Sequence, residues 1–273
     1  MDKSKVLVLG RGFLGKQFEK NGYTVWGRGR FDLNVVDIDL TYIDFWSNMF
    51  EGFDIIINCI GNANTRFCEN ADNWDEVFKV NSELPKFLSN LCNMLDKKFV
   101  QISSGCVYDR NDRPQLETDN ITSHCNYVVS KIAGEMFCNA NDLIIRPRLF
   151  FGETEDKNNL LCKVSKFTKF LTEINSYTSV QTIVESTQAL LENKCVGVFN
   201  VSNRGYTNLV DIAKACGIEV VNTLNADELI KQEKLFLVNN VMDTTKLEKY
   251  YQPRNILDEI KSCWASLLYH TTN

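Results

Sequence analysis

The chain has 273 residues, 44% of them hydrophobic, which is enough to bury a full core and excludes a disordered or fibrous protein. A net charge of −5, with Lys and Arg scattered and never four in a row, leaves no basic stripe to track phosphates, so no nucleic-acid partner is expected. Ten cysteines without a C-x-x-C pair read as reduced and mostly buried fillers, and the two histidines, His124 and His270, lack ligand spacing, so no metal site is expected.

Met1-Asp2-Lys3 leads into Val6 to Leu9, an apolar run that reads as a first strand and is too short for a signal-peptide core or a membrane span. A cytoplasmic protein without a membrane partner is therefore expected. Gly10-Arg11-Gly12-Phe13-Leu14-Gly15 follows directly and opens a helix that runs to about Asn21-Gly22. In a strand, turn and helix, G-x-G-x-x-G reads as a dinucleotide site. Gly10 permits the tight turn, Gly12 lets the backbone approach a pyrophosphate, and Gly15 lets the helix pack on the strand. Phe13 and Leu14 lie between them in the same cofactor-binding turn.

The second strand, roughly Tyr23 to Trp26, ends in Gly27-Arg28-Gly29-Arg30. Arg28 and Arg30 suit a 2′-phosphate and favour NADPH. Asp32, near the usual offset of about 20 residues from the glycines, would serve NADH instead, and the arginines also fit solvated surface charges. Further short apolar runs at Ile55 to Cys59, Phe99 to Ser103, Leu143 to Ile145 and Val198 to Val201 alternate with helix-length amphipathic stretches. That alternation predicts an α/β fold of Rossmann type, a doubly wound parallel sheet with helices on both faces. Residues 1–150 read as an NAD(P)-binding domain. Residues 151–273 read mainly as a smaller C-terminal substrate-binding lobe, with some segments returning to the sheet.

Asn126 to Cys138 has helical apolar spacing and puts Tyr127 and Lys131, four apart, on one face. An ammonium beside a phenol favours the phenolate, which gives a proton donor and acceptor suited to a carbonyl under reduction. The preceding strand ends in Ser103-Ser104-Gly105-Cys106-Val107-Tyr108. On these residues and the glycine turn the chain resembles the extended short-chain dehydrogenases/reductases. The resemblance makes Ser104 the residue that hydrogen-bonds a sugar carbonyl, leaves Ser103 structural, and matches Asn81 to the asparagine that supports the active-site lysine.

Within that family the chain is similar to dTDP-4-dehydrorhamnose reductases and, more closely, to the C-terminal half of plant rhamnose synthases. Tyr127-Val128-Val129-Ser130-Lys131, Asn159-Leu160-Leu161-Cys162-Lys163-Val164-Ser165 and Asn240-Val241-Met242-Asp243-Thr244-Thr245-Lys246-Leu247 carry the likeness. It implies a bifunctional 3,5-epimerase/4-reductase that converts UDP-4-keto-6-deoxy-D-glucose to UDP-β-L-rhamnose, with Cys106 as base and Lys163 as acid. It also implies a nucleotide-sugar substrate and a homodimer. GDP-fucose synthases share the cysteine but use a histidine where this chain offers Lys163. Cys106 also fits a small buried residue, Lys163 a solvated one, and Asp243 a helix cap. Nothing fixes the roles of His124 and Arg148. Two other readings stay open: reduction of a dTDP-linked, GDP-linked or N-acetylated 4-keto sugar, and a non-catalytic subunit of the kind that regulates methionine adenosyltransferase.

Overall fold

The computed structural model describes residues 1–27, 40–108, 113–122, 125–233 and 239–272. Its strands, in chain order, are β1 (Val6–Leu9), β2 (Thr24–Trp26), β3 (Ile55–Asn58), β4 (Lys98–Ile102), β5 (Leu143–Pro147), β6 (Phe150–Phe151), β7 (Phe170–Leu171), β8 (Thr178–Ser179), β9 (Gly197–Val201) and β10 (Thr223–Leu224). Six of them form one sheet in the order β2-β1-β3-β4-β5-β9. β1 pairs parallel with β2 and β3, β3 with β4, and β4 with β5. This is the Rossmann-type doubly wound sheet expected from the alternation. The chain leaves β1 towards β2 on one side and resumes at β3 on the other, so the turns after β1 and β3 meet at the switch point where such sheets bind ligands.

The chain divides into two compact units. The first comprises Met1–Val107, Ile121–Arg146 and Leu190–Phe199, and the second Tyr108–Asn120, Pro147–Ala189 and Asn200–Asn273. β1 is wholly buried because both faces of a parallel sheet are covered. Leu7, Leu9 and Ile56 of the strands pack with Trp46 and Phe50 and with Leu84, Leu88 and Leu91. The last three lie on a long helical run in which α-helical Trp74–Phe78 passes through a π-helical turn, Lys79–Glu83, into α-helical Leu84–Met94. In the second unit, β6 pairs with β8 and β7 with β10, over a core of Phe151, Leu161, Val164, Phe170, Tyr177, Ile212 and Ile260.

Element ends differ slightly from the periodicity. β3 stops at Asn58 and β4 at Ile102, one residue short of the apolar runs, where the β3–β4 register ends at Asn58 with Gln101 and the β4–β5 register at Ile102 with Ile145. All ten cysteines are free, but only five are buried and five are half-buried, so burial is less general than composition implied. Among the described residues no helix is long and apolar enough to cross a membrane, and no cluster is placed to hold a metal ion.

Candidate active site

The glycine turn is built as its sequence dictates. Gly10 has a φ of +103°, and a Cβ there would lie 2.9 Å from the Cys59 carbonyl carbon and from Ile60 N. A Cβ on Gly15 would overlap the Gly10 carbonyl, so the first helix, α1 (Phe13–Lys20), can close on β1 only with glycine at this position. Gly12 meets nothing within 4 Å and caps α1 without a side-chain bond, which leaves open space over the helix's first N–H groups. The Phe13 and Leu14 side chains are buried in the core, so their share of any ligand contact falls to the backbone. Arg28, Arg30 and Asp32 lie outside the described residues.

Lys131 stands on the helix Asn126–Met136. It is 5% exposed, and its Nζ donates to the Ile102 carbonyl at 2.9 Å. Burial draws this amine down to about 8, against the pull of the Glu135 carboxylate one turn further on. Glu135 is held in turn by Arg146, whose Nε lies 3.0 and 3.1 Å from the two carboxylate oxygens. Tyr127 sits four residues before Lys131, with Cβ atoms of such pairs about 5–6 Å apart on one helix face. The Glu69 carboxylate accepts from the Tyr127 N–H at 3.3 Å and so serves one of the unpaired donors at the helix start.

Asn81 lies in the π-helical turn, buried. Its Oδ1 accepts from Asn62 N at 2.8 Å, and its Nδ2 donates to Asn62 O and to Ser130 Oγ, both at 3.0 Å. Ser82 Oγ donates to the Ser130 carbonyl at 2.8 Å. A Cβ on Gly134 would overlap the Asn81 carbonyl, so the lysine-bearing helix rests directly on the backbone of the π turn. A Cβ on Gly61 would lie 3.3 Å from Asn81 Oδ1 and 3.7 Å from Lys131 Nζ.

Beyond β4, Ser104 is buried and its Oγ accepts from Cys106 N–H at 3.1 Å. Half-buried Cys106 sits in the 3-10 turn Gly105–Val107, which packs against the helix of Tyr127 and Lys131. The first unit thus gathers the glycine turn, Asn81, Ser104, Cys106, Tyr127 and Lys131. Lys163 belongs to the second unit, exposed on the short helix Leu160–Val164, whose N-cap Asn159 is buried and ties Gly152 and Thr154 to it. In that unit Asp243 Oδ1 accepts from Thr245 N at 2.8 Å, but Asp243 stands one residue before Thr244, the N-cap of the helix Thr245–Glu248, so it is not itself the cap residue. Arg148 is buried beside Asn175, 2.9 Å from its Oδ1. His124 lies outside the described residues.

Residues 6–173 match the model of the NAD dependent epimerase/dehydratase family. The chain belongs to that family. Among curated proteins, this family member is 23% identical, over 90% of its own length, to the trifunctional UDP-glucose 4,6-dehydratase/UDP-4-keto-6-deoxy-D-glucose 3,5-epimerase/UDP-4-keto-L-rhamnose-reductase of Arabidopsis thaliana, and it spans 40% of that protein. Among solved structures it shares the fold of the UDP-rhamnose synthase of Acanthamoeba polyphaga mimivirus, with a TM-score of 0.83 at 18% identity over 96% of this chain and 99% of that one. It also shares the fold of the dTDP-4-dehydrorhamnose reductase of Bacillus anthracis in complex with NADP, with a TM-score of 0.81 at 19% identity over 96% and 99%.

Sequence reasoning passed over three groups that shape the site. Ser130 reaches Asn81, Glu69 reaches the start of the tyrosine helix, and a buried amide pair, Asn58 and Gln101, bridges β3 and β4 with 2.9 Å between Nδ2 and Oε1. Only the last left a mark in the sequence, as polar residues inside strands that parallel sheets keep apolar.

Proposed function

We propose that the chain is an NADPH-dependent bifunctional 3,5-epimerase/4-reductase that converts UDP-4-keto-6-deoxy-D-glucose to UDP-β-L-rhamnose. One observation carries the reading. Lys131, buried and drawn down to about 8, holds an ammonium one turn from Tyr127, on a helix packed against the turn of Ser104 and Cys106. Family membership supports a nicotinamide dinucleotide, and the open start of α1 over Gly12 fits its pyrophosphate. The NADP named with the Bacillus anthracis reductase supports the cofactor's form, and the activities named for the Arabidopsis relative support the substrate.

When bound, NADPH supplies hydride to the C4 carbonyl carbon. The chain's own residues handle protons and orientation. Tyr127 gives its phenolic proton to the C4 oxygen, and the Lys131 ammonium makes the phenol a stronger donor. Ser104 spends an oxygen lone pair on Cys106 N–H, which leaves its hydroxyl hydrogen for the same C4 oxygen. Before reduction, the ketone acidifies the C3 and C5 hydrogens; at each carbon in turn Cys106 removes the proton and Lys163 delivers one to the opposite face, and both groups exchange protons with solvent between the two rounds. Reduction then removes the ketone and ends the exchange.

The test is incubation in D2O with NADPH and, separately, the UDP-, dTDP- and GDP-linked 4-keto-6-deoxy sugars, with products read by NMR. An L-rhamno product carrying deuterium at C3 and C5 is expected from the UDP sugar. Cys106→Ala is expected to retain NADPH binding and lose that deuterium. NADPH oxidation without deuterium in the wild type would leave a plain reductase. An absence of oxidation with every sugar would end the enzymatic reading.

A further inference from the structure

Asn58 and Gln101 are register partners at the ends of β3 and β4, 0% and 1% exposed. Buried amides are tolerated only when their polar atoms are paired, and these form a continuous line. Ile60 N–H donates to Asn58 Oδ1 at 3.0 Å, Asn58 Nδ2 to Gln101 Oε1 at 2.9 Å, and Gln101 Nε2 to the Ile102 carbonyl at 2.8 Å. That same carbonyl receives Lys131 Nζ at 2.9 Å. A carbonyl oxygen offers two acceptor lobes. The Gln101 amide fills one and so confines the ammonium to the other.

We propose that Gln101, oriented by Asn58, is a positioning residue for Lys131. The inference rests on the reading of Lys131 as part of the reductase. It also gives the polar line a second end. Ile60, where the line starts, crowds Gly10 so closely that a Cβ there would lie 2.9 Å from Ile60 N. The dinucleotide turn and the lysine are therefore registered against each other through one strand end.

Steady-state kinetics of the whole chain with NADPH and UDP-4-keto-6-deoxy-D-glucose test it. Gln101→Met keeps the side chain's length and removes its amide. It is expected to lower kcat about tenfold while each KM stays within about twofold, the signature of an interaction used in the reaction and not in binding. Gln101→His, whose neutral imidazole offers one acceptor and one donor, is expected to recover kcat to within about threefold of wild type. In a Lys131→Met background, Gln101→Met is expected to change the residual kcat by less than about twofold, because the two groups act as one. Additive losses there, or a raised KM at unchanged kcat, overturn the proposal. Should Gln101→Met fail to fold, a crystal structure of the unsubstituted holoenzyme decides: Gln101 Nε2 or Lys131 Nζ found away from the Ile102 oxygen overturns it, and both found on it sustain it. The same crystal structure separates this inference from the function. A wild-type protein that reduces no 4-keto sugar sinks the reductase reading, while the shared carbonyl stands or falls on the coordinates.

Discussion

Burial draws the Lys131 amine from 10.5 to about 8, so between those values the unfolded chain binds more protons than the folded one. The folded state is therefore penalised in full below about pH 8, and the penalty fades as pH rises towards 10.5. Lys131→Met is expected to stabilise the protein by on the order of 1–3 kcal/mol at neutral pH and to cut reduction to a small residual rate, the trade expected where function needs a strained group. Urea unfolding over a pH series checks this: the variant's advantage should narrow above about pH 8, and an advantage independent of pH would contradict it. At this scale the sequence was informative where chemistry is local. Tyr127 and Lys131 share a helix face by spacing alone, and the glycines of the first turn announce their own geometry. Gln101 was visible only as a polar interruption of an apolar strand. Its partner, a backbone carbonyl that also holds a lysine from a distant helix, has no signature in the chain.

The helix bearing the tyrosine and lysine is fixed at its start by Glu69, which comes from the short helix Thr65–Glu69, itself capped by Asn64. Glu69→Ala should cost about 1 kcal/mol, as loss of a cap does, and Glu69→Gln, which keeps the acceptor, a few tenths. Thermal unfolding of the two variants would show it, and equal losses would mean that the carboxylate's contact with the Tyr127 N–H is immaterial. Cys125, just before this helix, has its thiol pushed up to about 11, first by burial, with the Glu69 carboxylate adding to the rise. Amphipathic periodicity gave the helix itself to within two residues at its end. It gave nothing of Glu69, because the contact joins residues 58 apart. The π-helical turn was equally silent: one irregular turn hardly disturbs apolar spacing, yet it sets Asn81 against Ser130.

Across the molecule, the alternation of strands and helices made the parallel sheet readable, because strands buried on both faces must be apolar throughout. Part of the path between units was not readable. Tyr108 and Gln115 join the second unit through contacts such as Tyr108 Oη to Asn200 Oδ1 at 2.7 Å and Gln115 N to Val241 O at 2.8 Å, which local pattern does not encode. Conversely, Leu190–Phe199 returns to the first unit and brings in the start of β9, the neighbour of β5 at the sheet's edge. A fragment ending at residue 150 would expose the long edge of β5, and it is expected to aggregate or to lack a cooperative urea transition. A soluble fragment that unfolds cooperatively would show that β9 is dispensable. The same late arrival bears on biosynthesis. β5 ends at Pro147 and β9 begins at Gly197, so a ribosome adding ~5–20 residues per second leaves that hydrogen-bonding edge waiting several seconds for its partner. During that interval the nascent chain offers the kind of bare strand that chaperones exist to shield.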